Sequence, residues 1–159
     1  MKREAEKILS IFKENNVDYQ LYEHEPVYTS QEAAVARGVE LKKGCKSMVL
    51  KTEEEKFILA NVAADRKIDI KKLEKLTGDK LRFATREEVL QATNCEPGSV
   101  PPLGKLFGLP TFLDESILEN DFVNFNICML TKSVKIKMQD LLKIMEPTIS
   151  KFSKNKVSD

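Results

Sequence analysis

Lys46-Ser47-Met48-Val49-Leu50-Lys51, the acidic Glu53-Glu54-Glu55, and Lys56-Phe57-Ile58-Leu59-Ala60-Asn61-Val62-Ala63 together decide the fold. Each flanking segment is a short, largely aliphatic run bounded by charge, the pattern of a buried strand. The glutamates between them form a solvated turn, so the pair is predicted to be a hairpin.

Working outward toward the N-terminus, Lys42-Lys43-Gly44-Cys45 reads as a loop. Before it, Thr29 and Glu32 have the spacing of a capping box and Gly38 supplies a stop, which predicts a helix packed through Ala33, Ala34 and Ala36. Val17 to Tyr22 alternates as a strand does and breaks at Glu23-His24-Glu25-Pro26. Ala5, Ile8, Leu9 and Phe12 mark one face of a first helix that ends at Asn15-Asn16.

Toward the C-terminus, Asp69 caps a helix that turns Leu73 and Leu76 inward and ends at Gly78. Leu81-Arg82-Phe83 is a short strand, and Thr85 to Glu88 repeats the capping box and opens a helix through Leu90. Thr111 to Leu113, Phe122 to Leu130 and the alternating Val134, Ile136 and Met138 are further strands, followed by a helix over Asp140 to Met145. Beyond Pro147 the chain becomes polar and reads as a loose tail, giving a domain over 1–146 and a tail over 147–159. Strands and helices do not alternate regularly, and no internal repeat is visible. The fold class expected is α/β: a single mixed domain with a curved, largely antiparallel sheet and flanking helices.

Composition narrows the function. A chain of 159 residues with 42% hydrophobic and 32% charged content is that of one globular domain. The apolar runs are too short for a membrane span, and the charged start Met1-Lys2-Arg3-Glu4 lacks the apolar core of a signal peptide, so a cytoplasmic location is expected. A net charge of +1 excludes a broad basic surface for DNA or other long nucleic acid, while leaving room for a small contact at one nucleic-acid end. Cys45, Cys95 and Cys128 are widely spaced, odd in number and without a CxxC pair, and read as reduced core or loop thiols. With one histidine they do not complete a usual zinc set, so neither metal nor cofactor is expected.

Glu96 to Gly104, Glu-Pro-Gly-Ser-Val-Pro-Pro-Leu-Gly, holds three of the six prolines. Proline fixes φ and restrains the residue before it, while Gly98 and Gly104 open backbone angles closed to other residues. The stretch is either a surface turn or a rigid loop that presents N–H groups to a ligand. His24, the sole histidine, lacks partners for a hydrolase triad and reads as structural. There is no GxSxG elbow, Walker loop or dinucleotide glycine fingerprint. Lys46 begins an apolar strand and reaches either solvent or a cleft. Asp114, at a strand end, either caps the following turn or lines a site.

The succession of Tyr22-Glu23-His24-Glu25-Pro26-Val27-Tyr28-Thr29-Ser30-Gln31-Glu32-Ala33-Ala34, Lys46-Ser47-Met48-Val49-Leu50, the Asp65 to Leu76 segment, Gly98-Ser99-Val100-Pro101-Pro102-Leu103-Gly104 and Phe112-Leu113-Asp114-Glu115 resembles the YbaK family of prolyl-tRNA synthetase-associated editing domains. The resemblance runs from about Val17 to Met145. It implies a mixed α/β domain that hydrolyses the ester of mischarged aminoacyl-tRNA, free-standing here because no synthetase region accompanies it. Lys46 matches the family's essential lysine, near the aminoacyl ester and the terminal adenosine phosphate. Gly98 and Pro102 match the ends of its GxxxP loop, whose amides surround the ester.

Ser47 falls where a small hydroxyl residue is frequent, Asp114 at a pocket-wall acid, and Tyr28 within the first motif as a substrate contact. Where alanine-editing members carry His-Pro-x-x-Asn, this chain has Asn126-Ile127-Cys128-Met129-Leu130. Because Pro101 and Pro102 lack N–H, the donors expected from the loop are Gly98, Ser99, Val100 and Leu103. An aminoacyl ester is activated already and its neighbouring ribose hydroxyl can direct a water, so orientation and charge stabilisation suffice. The expected substrate is a small amino acid, alanine or cysteine, on tRNA-Pro, with a prolyl-tRNA synthetase as a further partner. The alternative is a non-catalytic module that binds the aminoacyl-tRNA acceptor end or a synthetase; a purely structural domain is the third reading.

Overall fold

The computed structural model describes residues 1–156. The predicted hairpin is its centre: β2 (Cys45–Thr52) pairs antiparallel with β3 (Phe57–Ala63), with Lys46 opposite Val62 and Ser47 opposite Asn61. β5 (Leu81–Phe83) extends the β2 edge antiparallel, whereas β6 (Thr111–Asp114) and then β9 (Thr148–Ser150) extend the β3 edge in parallel, giving a five-stranded order β5-β2-β3-β6-β9. A second, fully antiparallel sheet has the order β1-β8-β7, from β1 (Tyr19–Glu23), β8 (Lys132–Lys137) and β7 (Phe122–Asn126). β4 (Arg66–Ile68) and β10 (Ser153–Asn155) make a two-stranded ribbon. The fold is the expected mixed, mostly antiparallel α/β domain, with its strands divided among three sheets. An isolated bridge from Gly44 to Asn124 joins the start of β2 to β7.

Most helices pack on the faces the sequence assigns, but Leu76 and Ala36, both expected inward, are exposed, so the short helices that carry them each bury a narrower stripe. α1 (Arg3–Glu14) buries Ala5, Ile8 and Phe12 against Phe125, Val134 and Ile136 of the smaller sheet, and α5 (Met138–Met145) closes the same core through Leu141 and Met145. α3 (Ile70–Thr77), capped by the Asp69 side chain and ended by Gly78 at φ +78, places Leu73 beside Leu50, Val62 and Phe152. α2 (Ser30–Arg37) starts where the Thr29 hydroxyl accepts from the Glu32 N–H and ends at left-handed Gly38. In α4 (Arg86–Thr93) the Thr85–Glu88 capping box is complete.

Two further expectations are corrected. Over residues 148–156 the segment after Pro147 is no loose tail: it forms β9 and β10, and Phe152 between them is fully buried, while residues 157–159 of the expected tail lie outside the described residues. Asp114 is the reason. Its Oδ1 accepts from the N–H groups of Phe152 (2.8 Å) and Ser153 (3.0 Å), and its Oδ2 accepts from the Ser153 hydroxyl (2.7 Å). Cys95 and Cys128 are also not free thiols but a disulfide, which ties the end of α4 to the turn after β7. Cys45 remains free.

Candidate functional site

A cavity of about 270 Å³ opens where α2, the first residues of β2, the Pro/Gly loop and the end of β7 meet. Each wall follows from local chain behaviour. On α2, Ala33 and Arg37 lie one turn apart and so share the face toward the cavity. On β2, Cys45 and Ser47 point to one side of the strand and Lys46 to the other, and all three line the cavity because it sits at the strand's open end. Gly98 holds φ +89, and a Cβ there would lie 3.7 Å from the Tyr28 carbonyl oxygen, so the loop passes close to the segment before α2.

Of the residues singled out by sequence, Tyr28, Lys46, Ser47, Gly98, Val100 and Asn126 converge on this cavity. Ser99, Pro102, Leu103 and Asp114 do not line it. The Ser99 N–H and hydroxyl both bond to the Glu96 carbonyl (3.0 and 2.7 Å), and its own carbonyl accepts from the Cys128 N–H at 2.8 Å. Its amide is therefore not a free donor, contrary to the sequence expectation. Leu103 packs in the main core and Pro102 is buried. Asp114 caps the turn that follows, accepting from the Ser116 N–H at 3.1 Å, and anchors the C-terminal strands. Among the described residues, the Gly98 and Val100 N–H groups donate to no other part of the chain.

Sequence reasoning missed Arg37, Cys45 and Gly44. The available signal was the spacing of Arg37 from Ala33 on a helix whose caps were already evident.

The cavity is electropositive and has no built-in base. Its lining contains no aspartate, glutamate or histidine. Lys46 Nζ donates to the Arg66 carbonyl at 3.0 Å, and burial, with Lys156 nearby, pushes its pKa down to about 8. Arg37 donates from Nη2 to Asn126 Oδ1 at 2.7 Å, while Asn126 Nδ2 donates to the Met129 carbonyl at 2.9 Å. Burial lowers the Arg37 pKa to about 10, opposed by Cys45 and Tyr22. Burial also drives the Cys45 thiol up to about 12, opposed by the neighbouring Ser47 hydroxyl and the Arg37 charge, so this cysteine is no nucleophile at neutral pH.

His24 lies outside the cavity lining. Its Nδ1 donates to the Glu25 carbonyl at 2.9 Å, which leaves Nε2 to accept from the Ser133 hydroxyl at 2.8 Å, a structural clasp between β1 and β8. Among the described residues no cluster of histidine, cysteine and carboxylate side chains fits a metal, and no helix is long and apolar enough to cross a membrane.

Comparison with known proteins gives the same direction. The family model for the aminoacyl-tRNA editing domain matches residues 24–144. The chain is 29% identical over 152 residues to the multifunctional Ser/Thr-tRNA deacylase ProXp-y of Escherichia coli K12, covering 92% of this chain and 91% of that one. It is 37% identical over 89 residues to the uncharacterized protein YwhH of Bacillus subtilis, covering 56% of this chain and 57% of that protein. A crystal structure described as a candidate trans-editing enzyme for prolyl-tRNA synthetase superposes with a TM-score of 0.84 at 26% identity, over 98% of this chain and 99% of that one. With the editing-domain model matching residues 24–144, most of its length, the chain belongs to the aminoacyl-tRNA editing domain family and is an aminoacyl-tRNA deacylase.

Proposed function

We propose that the cavity removes a small amino acid from mischarged tRNA in trans, with alanine or cysteine on tRNA-Pro as the first substrates to consider. The observation that carries this reading is the convergence of Lys46, Ser47 and two unpartnered loop amides, Gly98 and Val100, on a cavity whose lining has no side-chain base. The E. coli relative's name adds serine and threonine as side chains of similar size. The likeness to a candidate trans-editing structure supports action apart from the synthetase, and a prolyl-tRNA synthetase as partner.

In the proposed reaction, the terminal ribose hydroxyl beside the ester directs a water onto the carbonyl carbon. The new C–O bond forms as the ester C–O bond breaks, and the proton passes to the departing ribose oxygen, yielding free amino acid and tRNA. The Gly98 and Val100 N–H groups hold the developing oxyanion, a role in which one donor contributes about 10²–10³ in rate. The Lys46 ammonium anchors the terminal phosphate or the carbonyl as a point charge. Larger amino acids are excluded by clash, whereas each added methylene that does fit gains only ~1–3 kcal/mol.

The test is a panel of labelled mischarged tRNAs incubated with the purified protein. Ester loss above buffer that disappears in Lys46→Ala supports the reading, and no loss with any member of the panel overturns it.

A further inference from the structure

The proposed hydrolysis makes no use of Arg37, yet Arg37 is the most unusual side chain in the cavity. A guanidinium taken out of water ordinarily faces a carboxylate, because a buried cation without one is costly. Among the described residues no carboxylate pairs with Arg37, and its one partner is the neutral Asn126 Oδ1. The Asn126 amide is itself fixed by its bond to the Met129 carbonyl, so the guanidinium is held in place. Gly44 lies beside it: a Cβ there would touch Arg37 Nη1 at an ordinary 3.5 Å and press on the Ala64 Cβ at 3.3 Å. Arg37 Nε and Ser47 Oγ are both buried with no hydrogen-bond partner, and both residues line the same cavity. A fixed donor and a hydroxyl, each unmatched and both on residues that line one cavity, mark a place where a ligand's polar atom belongs.

We propose that Arg37 is a specificity-determining residue that reads the side chain of the esterified amino acid and selects a hydroxyl over a methyl group. The inference rests on the deacylase reading above and moves its preferred side chain from alanine or cysteine to serine or threonine. The α-ammonium of an aminoacyl ester is repelled by the guanidinium, so the side chain, not the amine, faces Arg37. A serine or threonine hydroxyl accepts from the Arg37 Nε–H and donates to Ser47 Oγ, satisfying both unmatched groups with one atom. Alanine leaves both unmatched, and a site built to hydrogen-bond a hydroxyl discriminates strongly against an analogue that lacks it.

The experiment charges one tRNA-Pro transcript with serine, threonine, alanine or cysteine and compares kcat/KM for the native protein, Arg37→Met and Arg37→Lys. Arg37→Met keeps much of the volume and removes every donor. Arg37→Lys keeps the charge and removes Nε. The native protein is expected to favour serine over alanine at least tenfold. Both variants should lose at least tenfold on serine while changing less than threefold on alanine, so the preference collapses. A native protein that hydrolyses alanine as fast as serine overturns the assignment while leaving the deacylase reading intact, and so does an equal loss on both substrates in Arg37→Lys. No hydrolysis of any of the four overturns both.

Discussion

Lys46 sits where two pH effects of opposite sign meet. Its folded pKa of about 8 lies below the ordinary lysine value of 10.5, with burial as the main cause. Between those values the unfolded chain holds a proton that the folded chain has released, so stability rises with pH across that window. Activity should go the other way. If the ammonium anchors the substrate, kcat/KM corrected for buffer hydrolysis falls about tenfold per pH unit above pH 8. Lys46→Arg should move that fall beyond the measurable range, as read from pH–rate profiles of both proteins.

The loop yields a second contrast. Gly98 at φ +89 cannot become valine without backbone strain of about 1–3 kcal/mol, so Gly98→Val should lower kcat on the order of 10²-fold. Ser99→Ala, which removes only a bond to Glu96, should lower kcat less than tenfold. That six of the residues singled out by sequence line one cavity was legible in the chain, because motif order fixes which segments meet. That the Ser99 amide is turned back on Glu96 was not legible, because sequence does not say which amides of a loop are already bonded within it.

At the scale of elements, local signals were read well and long-range pairings poorly. The caps at Thr29, Asp69 and Thr85 and the stops at Gly38 and Gly78 depend on neighbours a few residues away. Strands β9 and β10 are short and polar, and their partners β6 and β4 lie far back in the chain, so no periodicity reveals them. The Cys95–Cys128 link, spanning a sequence separation of 33, likewise has no spacing motif. It fastens the Pro/Gly loop to the turn after β7, beside the Ser99 carbonyl's bond to Cys128. Breaking it frees that much chain in the unfolded state, which should lower stability by about 2–4 kcal/mol. Thermal melts with and without a thiol reductant check this: the native protein should melt lower when reduced, and Cys95→Ala should melt at the same temperature in both.

Across the whole molecule, the main core under the smaller sheet and the second core under β2 and β3 are joined through Asp114 and Phe152. The ring of Phe152 is fully buried beside Leu50 and Leu73, and Phe152→Ala should cost about 3–5 kcal/mol, read from the urea midpoint. Burial opposes ionisation of Asp114, but hydrogen bonds from Ser116, Ser153 and Phe152 prevail and hold its pKa below the ordinary value of 3.8. That contribution is complete above the ordinary aspartate range and is lost as pH falls through the lowered value.

The anchored C-terminal strand reaches the cavity from behind. Arg66, whose carbonyl seats the Lys46 ammonium, pairs in register with Asn155 and donates its side chain to Ser153 and Asn155. During synthesis, then, a chain that has emerged only as far as Met145 holds every residue that lines the cavity, but not the strand that steadies the lysine's seat. Competence for deacylation is therefore completed by a segment made after every cavity-lining residue is in place.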